Sequence, residues 1–579
     1  MKIREMTTGT LPKAILVAGA SMAAAVFYWA LAQPSAPPIA SLFPPGALVY
    51  VEAKDFSALA ADWDRSAEKT AWLKSANHEA FSRSELFLKL AQEQSDFAAA
   101  AGVPPDYALL KSVAGANSAL AIYNIHNMDL LYVTHLASAR AFDTALWKAR
   151  GTYQTRKAGG VDFYVKEDRK TQRVAAFAYT GDLLMLGTRE DLVAGALTLL
   201  ASRNSSSRTP SLASEKWFAD ATGAAQSGPG ELRLVHNLDK LEQTPQFRSH
   251  WVQRNARDLR EYAAGVADLE RAGGEMRERR VLLRTNPVNP VSDESAAGQL
   301  LSAIPDDAGF YRATLHPTLE QAEKAIEEKI FSAIAPSKPR NDFAPPVEIE
   351  QTSGSEQDLE TRIDEPPLSD DRAARAFAPI RERISTANLQ AMIEISSTRT
   401  DADQVFIAAQ SAIAVLGAAD WNAGEIRAAL SSAAGALWSN RDLGAGWRAG
   451  SNAGVSEIDG LGRIAIAIEG RWLIVGNSAE LVSAILTRRS RAPVAGAVYA
   501  AGWRHAREVP NFERMMRLID FPQLQATGPG DQTQGREPMF YSENIASFGR
   551  VLQRVQSATV TVHDAGTMLR ESIVYRLTP

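Results

Sequence analysis

The chain has 579 residues, of which 45% are hydrophobic, so it can bury large cores and is expected to form at least two domains. Its formal net charge of -5 gives no basic footprint for nucleic acid, which excludes that class of partner. Because the chain has no cysteine, disulfides, thiolate metal sites and a cysteine nucleophile are also excluded.

The N-terminal segment predicts a membrane anchor. Residues 1–13 are basic, and residues 14–32 form an uncharged stretch of 19 residues that is long enough to span a bilayer. Because basic flanks stay in the cytoplasm, we expect a single-pass helix, with the bulk of the chain on the other side of the membrane. The aromatic residues 27–29 suit the membrane interface. Residues 30–32, Ala-Leu-Ala, leave a cleaved signal peptide as the alternative.

A Pro-rich spacer over residues 33–45 is expected to be extended, and the first domain then opens with a strand at Ala47–Glu52 and a helix after Asp55. We interpret Tyr50, in this strand, as a packing residue. Three residues here match a later segment at a constant offset of 261, namely Pro44 with Pro305, Ala47 with Ala308 and Tyr50 with Tyr311.

The clearest internal repeat relates residues 176–197 to residues 465–486, in which eight of 22 gapless positions are identical. Each copy predicts a buried β-hairpin that turns at a glycine, Gly181 in the first copy, and leads into a helix. Thr188 and Asn477 occupy the expected N-cap positions. Free N–H groups at such a helix start could also hold an anion.

Four matched blocks recur in one order, at offsets of 261, 289, 265 and 292, which predicts a duplication. The expected fold is α+β, with two tandem homologous domains that each pack helices on a mainly antiparallel sheet. The predicted segments are a first domain at 43–285, a linker at 286–302, a second domain at 303–579, and a mobile acidic Pro-rich stretch at 336–371. Changes of offset predict insertions at 201–230, 521–546 and 430–454.

No motif in the chain predicts a catalytic, cofactor-binding or metal-binding residue, so no such residue and no cofactor are expected. The eight histidines form no zinc motif, and no GxSxG or P-loop sequence occurs. Ser66 and Lys69 have the SxxK spacing of penicillin-binding enzymes, which we interpret as a chance match. The repeat alignment leaves histidines unmatched, with His135 opposite Glu394, His236 opposite Ala501 and His563 opposite Arg271.

The Pro-x-x-Ala-x-x-Tyr strand opening from Pro44 to Tyr50, the Gly-x-x-Leu-x-x-Gly segment from Gly181 to Gly187, the duplication and the anchor together resemble a group of uncharacterised bacterial envelope proteins known as a domain of unknown function. This resemblance implies a bacterial extracytoplasmic protein and supplies no activity or catalytic residue.

The expected function is a membrane-tethered periplasmic binding or scaffold protein. Its expected partners are the membrane, through the N-terminal helix, and other envelope proteins. Two alternatives remain open, an envelope hydrolase with an active site assembled from distant residues and a lipid or protein carrier with an apolar groove. Trp438 and Trp447 would indicate a partner surface if they were exposed.

Overall fold

The computed structural model of the chain describes residues 38–578, except for short gaps and three longer ones. The anchor predicted at 14–32 and nearly all of the acidic stretch at 336–371 lie outside the described residues. Within 38–578, the residues that the structure does not describe are 84, 105, 204–208, 226–227, 245–259, 292, 332–370, 400–407, 439–445, 451, 460–462, 506 and 509–553. Within the part that is described, no helix has both the length and the apolar character needed to cross a membrane.

The fold is α+β, and the strand pairs of the described chain are antiparallel, as the short turn-separated runs predict. Numbered in chain order, the strands are β1 Val49–Asp55, β2 Ala116–Asn124, β3 Asp129–His135, β4 Gln154–Ala158, β5 Val161–Glu167, β6 Val174–Thr180, β7 Leu183–Gly187, β8 Leu232–Asn237, β9 Tyr262–Ala272, β10 Glu275–Arg284, β11 Phe310–Leu315, β12 Leu389–Arg399, β13 Ala408–Gly417, β14 Arg448–Ala449, β15 Val455–Asp459, β16 Arg463–Glu469, β17 Trp472–Gly476, β18 Tyr499–Arg504, β19 Val555–Asp564 and β20 Met568–Leu577.

Helices connect these strands and cover the sheet. They are α1 Phe56–Arg65, α2 Ala67–Leu73, α3 Ala76–Ser82, α4 Glu85–Ala101, α5 Tyr107–Val113, α6 Ser138–Asp143, α7 Ala145–Ala149, α8 Glu190–Ser202, α9 Lys216–Ala224, α10 Leu238–Leu241, α11 Ser295–Ser302, α12 Leu319–Ile326, α13 Asp371–Thr386, α14 Ala423–Trp438 and α15 Ala479–Arg488. Short 3₁₀-helices occur at Ile39–Leu42, Arg150–Thr152 and Leu212–Ser214.

The order of the strands in the sheet is the same in both halves of the chain. Strands β1–β10, which we call the first half, pair in the order β4-β5-β6-β7-β3-β2-β1-β8-β9-β10. Strands β11–β20, the second half, pair as β14-β15-β16-β17-β13-β12-β11-β18-β19-β20. The last strands of the two halves, β10 and β20, also pair with each other, so one continuous sheet runs through both.

Strand register gives the correspondence between the halves residue by residue. Tyr50 corresponds to Tyr311, at an offset of 261 residues. Their partners in the neighbouring strand are Ala121 and Ile395, so the offset between corresponding residues is 274 in that strand. It reaches 281 at Leu131 and 289 at Gly187. The 28 residues gained are therefore spread over three connections. The prediction that one insertion at 430–454 holds them is wrong, because only eight fall in the connection that contains it.

Helices cover both faces of the sheet, and alternate residues of a strand enter different cores. We call front the face that carries Tyr50, and back the opposite face. In β6, Ala176 and Ala178 enter the front core under α8 and α9, whereas Ala175 and Phe177 enter the back core under α4 to α7. The second half repeats this, with α11 and α15 in front and α12, α13 and α14 behind. Two-sided burial explains the continuous apolar runs.

The predicted hairpin and helix are confirmed, but the predicted helix caps are wrong. The turn glycine Gly181 has φ +62°, which an L side chain rarely adopts. Helix α8 begins after Arg189, without a side-chain cap, and Ser478 caps α15. The side chains of Thr188 and Asn477 instead accept hydrogen bonds from strand N–H groups, those of Leu130 (2.9 Å) and Ser411 (2.7 Å).

Two segments expected to be connectors belong to the cores. The end of the spacer predicted at 33–45 forms the 3₁₀-helix Ile39–Leu42, and Phe43 after it is fully buried against the ring of Tyr50. The end of the linker predicted at 286–302 is helix α11, which buries Leu300 in the front core of the second half. In both segments, apolar side chains that lie among Pro, Ala and Ser residues pack against the sheet and cover part of it.

Candidate functional site

A polar cavity lies where the two halves join, on the front of the sheet. Nine residue pairs link β10 to β20, from Glu275↔Arg576 to Leu283↔Met568. We call the cavity beside this ladder, about 430 Å³ in volume, the seam groove. Its polar lining comes from both halves and comprises Asp268, Arg279, Arg280, Thr561, His563, Arg570, Glu571 and Ser572.

A buried ion pair forms the first-half side of the seam groove. The guanidinium of Arg233 donates to both carboxylate oxygens of Asp268, at 2.6 and 2.7 Å, and both side chains are more than nine-tenths buried. Such a bidentate pair holds a charge in a dry region only while both partners are present. It therefore fixes β8 against β9 at the edge of the cavity.

Two further polar groups extend this network toward β1. The hydroxyl of Tyr50 donates to Glu52 at 2.9 Å, and the ring of Tyr50 contacts Phe43 and Phe218 edge to face. Burial raises the pKa of the Glu52 carboxyl, and the Tyr50 hydrogen bond and the Arg233 charge oppose this rise. The pKa of the Tyr50 hydroxyl is also raised, mainly by burial and secondly by the charge of Glu52. Tyr50 is thus the packing residue that the sequence predicts.

The second half does not repeat these charges. By strand register, the positions of Glu52, Arg233 and Asp268 correspond to Ala313, Ala500 and Thr561. The second half instead has an ion pair on the back of the sheet, where Arg312 donates to the largely buried Glu394. Glu394 lies in β12 and corresponds to Leu120, so the sequence match that put it opposite His135 is wrong.

On the back of the sheet, a partly buried histidine lies in β8. His236 packs over Gly265, where a Cβ atom would lie 2.6 Å from its Nε2. Its buried Nδ1 has no hydrogen-bond partner among the described residues. Burial, and secondarily the charge of Arg280, lowers the pKa of His236 to about 4, so the ring is neutral at pH 7.

A second cavity, of about 260 Å³, lies between α4 and the sheet of the first half. We call it the α4 cavity, and its lining includes Leu90, Phe97, Leu130 and Leu186. Arg173 lies at this cavity, where it pairs with Glu93 at 2.5 Å and donates to the backbone oxygen of Asn127 at 2.6 Å. The α4 cavity is therefore mainly apolar, with one neutralised ion pair in its wall.

The SxxK match is a helix cap. Ser66 is the N-cap of α2, and its Oγ accepts from the backbone N–H of Lys69 at 3.1 Å. The Lys69 ammonium pairs with Asp64 and lies over the ring of Tyr107. Hydroxyl and amine thus have separate structural partners, in agreement with a chance match.

Two other histidines and one tryptophan have ordinary hydrogen-bond partners. His135 bonds to Asp182 and His563 to Glu294, both at partly exposed sites, and the described residues contain no cluster of three possible metal ligands. Trp447 packs against the back core of the second half, and its indole N–H donates to the backbone oxygen of Arg427 at 3.0 Å. The side chain of Trp438 lies outside the described residues.

Comparisons with known proteins identify no family. No family model matches the chain, and no curated protein matches it. Among solved structures, crystal form I of TP0453 matches with a TM-score of 0.23 and 12% identity over 44% of this chain and 82% of that one. Crystal form III of TP0453 matches with a TM-score of 0.23 and 11% identity over 44% and 83%. Likeness at this level supports no argument about the chain.

The buried ion pair predicts a large effect of a small substitution. Asp268→Asn leaves the buried guanidinium of Arg233 without a counter-charge, so we expect a loss of about 3–5 kcal/mol of stability, measured as the shift of the urea unfolding midpoint. The matched control is Asp191→Asn, which removes the exposed partner of Arg189 and should cost less than about 1 kcal/mol. Equal shifts in the two variants would contradict a structural role for the buried pair.

The lowered pKa of His236 predicts acid sensitivity with a definite sign. Because the folded pKa, about 4, lies below the unfolded value of about 6.5, the stabilisation is complete above pH 6.5 and is lost as the pH falls toward 4. The loss is at most about 3 kcal/mol, from about 1.4 kcal/mol per unit of pKa. In thermal unfolding from pH 7 to 4, His236→Gln should show a flatter pH dependence than the wild type. Equal pH dependences of His236→Gln and the wild type would contradict a neutral His236 in the folded state.

Proposed function

We propose that this chain is a membrane-tethered periplasmic binding or scaffold protein built from two homologous halves. The observation that carries the binding role is the seam groove, a concave polar cavity to which strands of both halves contribute. Ligand sites are concave and occur preferentially at the interfaces between domains. Duplication of a packing unit followed by loss of its symmetry at the junction provides such a site.

The proposed homology of the halves is supported by two independent features. The strand order repeats strand for strand, with β1 to β10 corresponding to β11 to β20. The matched residues of the sequence also fall at equivalent places, since Gly181 and Gly470 both turn a hairpin at positive φ and Gly187 and Gly476 both end the following strand.

The proposed tether and compartment are supported by the sequence of the N-terminal segment. Basic residues precede an uncharged span of 19 residues, and the described residues begin within the Pro-rich stretch, at residue 38. The 3₁₀-helix at Ile39–Leu42 is buried in the first core, so any anchor would be connected to the domain through few residues.

A carrier of apolar molecules is the second candidate, and the α4 cavity favours it. This cavity has an apolar lining from α4 and from the sheet, and a volume suited to a small apolar group or the end of an acyl chain. It belongs to the first half alone, whereas the seam groove needs both.

Topology can be tested cleanly because the chain has no cysteine. We expect a cysteine at the exposed Val288 to react with a membrane-impermeant maleimide in spheroplasts, because the proposed topology puts it outside the cytoplasm. Thr8→Cys should react only after lysis, and its absence from the mature band would identify a cleaved signal peptide. Labelling of Val288→Cys only after lysis would contradict a periplasmic domain.

The carrier candidate is tested with a fluorescent apolar probe. N-phenyl-1-naphthylamine should bind the full chain, and Leu90→Glu should weaken binding at least about tenfold, because it introduces a charge into the α4 cavity. The matched control is Leu73→Glu, which changes an exposed leucine of similar accessibility that does not line the cavity. Equal binding by the two variants would exclude the α4 cavity as the probe site.

A further inference from the structure

One cation of the seam groove, Arg570, has no ion pair with any residue that the structure describes. Arg570 projects from β20 on the front of the sheet, and its side chain makes no hydrogen bond or ion pair with any residue that the structure describes. Its Nε is fully buried, so water does not reach this donor from the surface. A buried guanidinium donor without an acceptor is costly, and such positions are commonly completed by a ligand or an ordered water.

The other arginines of the groove differ from Arg570, because each has an acidic partner. Arg279 pairs with Glu270, and Arg280 pairs with Glu571. Arg233, next to the groove, is bound to Asp268. The corresponding acids are missing on the second-half side, where the position of Asp268 is Thr561 and that of Glu270 is His563. The groove therefore combines arginines held in ion pairs with one, Arg570, that has no ion pair among the described residues. The carboxylate of Glu294 bonds to His563, the ladder neighbour of Arg570.

Strand register brings two hydroxyl groups beside this charge. Ser572 lies two residues from Arg570 on the same face of β20, and it pairs directly with Thr561 across β19. Paired residues on one face of an antiparallel ladder have Cβ atoms about 5 Å apart, so one small ligand can contact both hydroxyls and the guanidinium. Neither hydroxyl has a side-chain hydrogen bond among the described residues.

We propose that the seam groove binds a small oxyanion, a carboxylate or a phosphate group, which Arg570 holds with Ser572 and Thr561. The inference rests on the proposed binding role and names its ligand class. A guanidinium donates two parallel hydrogen bonds to such a group, and hydroxyls donate to its remaining oxygens. The volume of about 430 Å³ leaves room for the rest of a small anionic molecule.

The test measures binding of inorganic phosphate and of citrate to the purified full chain by calorimetry, with chloride at equal ionic strength as the reference. We expect saturable binding of at least one anion. Arg570→Gln should weaken it at least about tenfold, and Ser572→Ala should weaken it several-fold. The matched control is Arg277→Gln, because Arg277 is the first-half counterpart of Arg570, is half-exposed and is not part of the groove lining.

The two arms distinguish the ligand source. Loss of phosphate binding alone in Arg570→Gln identifies a phosphate site, and loss of citrate binding alone identifies a carboxylate site. Saturable binding that persists in Arg570→Gln, or no saturable binding of either anion to the wild type, overturns the proposal. Circular dichroism of each variant shows that it is folded. Labelling at Val288 is independent of this outcome, so a failed anion site is distinguishable from a failed topology.

Discussion

The antiparallel ladder between β10 and β20 is the constraint on which the rest of the architecture depends. It pairs the same strand from each half, and the register gives Arg279 the counterpart Ser572, which is also its ladder partner. A local two-fold axis therefore passes through that one pair, as in an isologous contact between two subunits. The axis keeps the front of both halves on one side. In this ladder the last strand of each half also covers the last strand of the other, which would otherwise expose unpaired N–H and C=O groups at a sheet edge.

Local structure was predictable where the sequence pattern and the tertiary environment agree. The hairpin at Gly181, the helix after Asp55 and the packing of Tyr50 follow from periodicity, turn chemistry and capping, which act over a few residues. The caps at Thr188 and Asn477 were wrong for an equally physical reason. Both side chains accept hydrogen bonds from a neighbouring strand, and this tertiary contact outweighs the local preference for a helix start.

The seam and its groove were not predictable, because a strand's periodicity does not identify its partner. The sequence match put Gly274 over Gly566, an offset of 292, whereas the ladder gives 293. A shift of one residue exchanges the two faces of a strand. With an offset of 292, Arg279 would correspond to Glu571, and the residues that meet in the groove would be assigned to opposite sides of the sheet. The site therefore depends on a register that only the three-dimensional pairing fixes.

The two halves share packing residues and differ in polar ones, and the groove shows why that difference has chemical consequences. A buried acid such as Asp268 is stable only together with its partner, Arg233, because removing one member leaves the other as an unpaired buried charge. In the second half the corresponding residues, Thr561 and Ala500, are both uncharged, so no buried charge at these positions needs a partner. The second-half positions that correspond to Asp268 and Glu270 thus place no acid opposite Arg570, while the scaffold beneath it remains intact. The symmetric junction of the two halves thus carries an electrostatically asymmetric cavity to which both halves contribute.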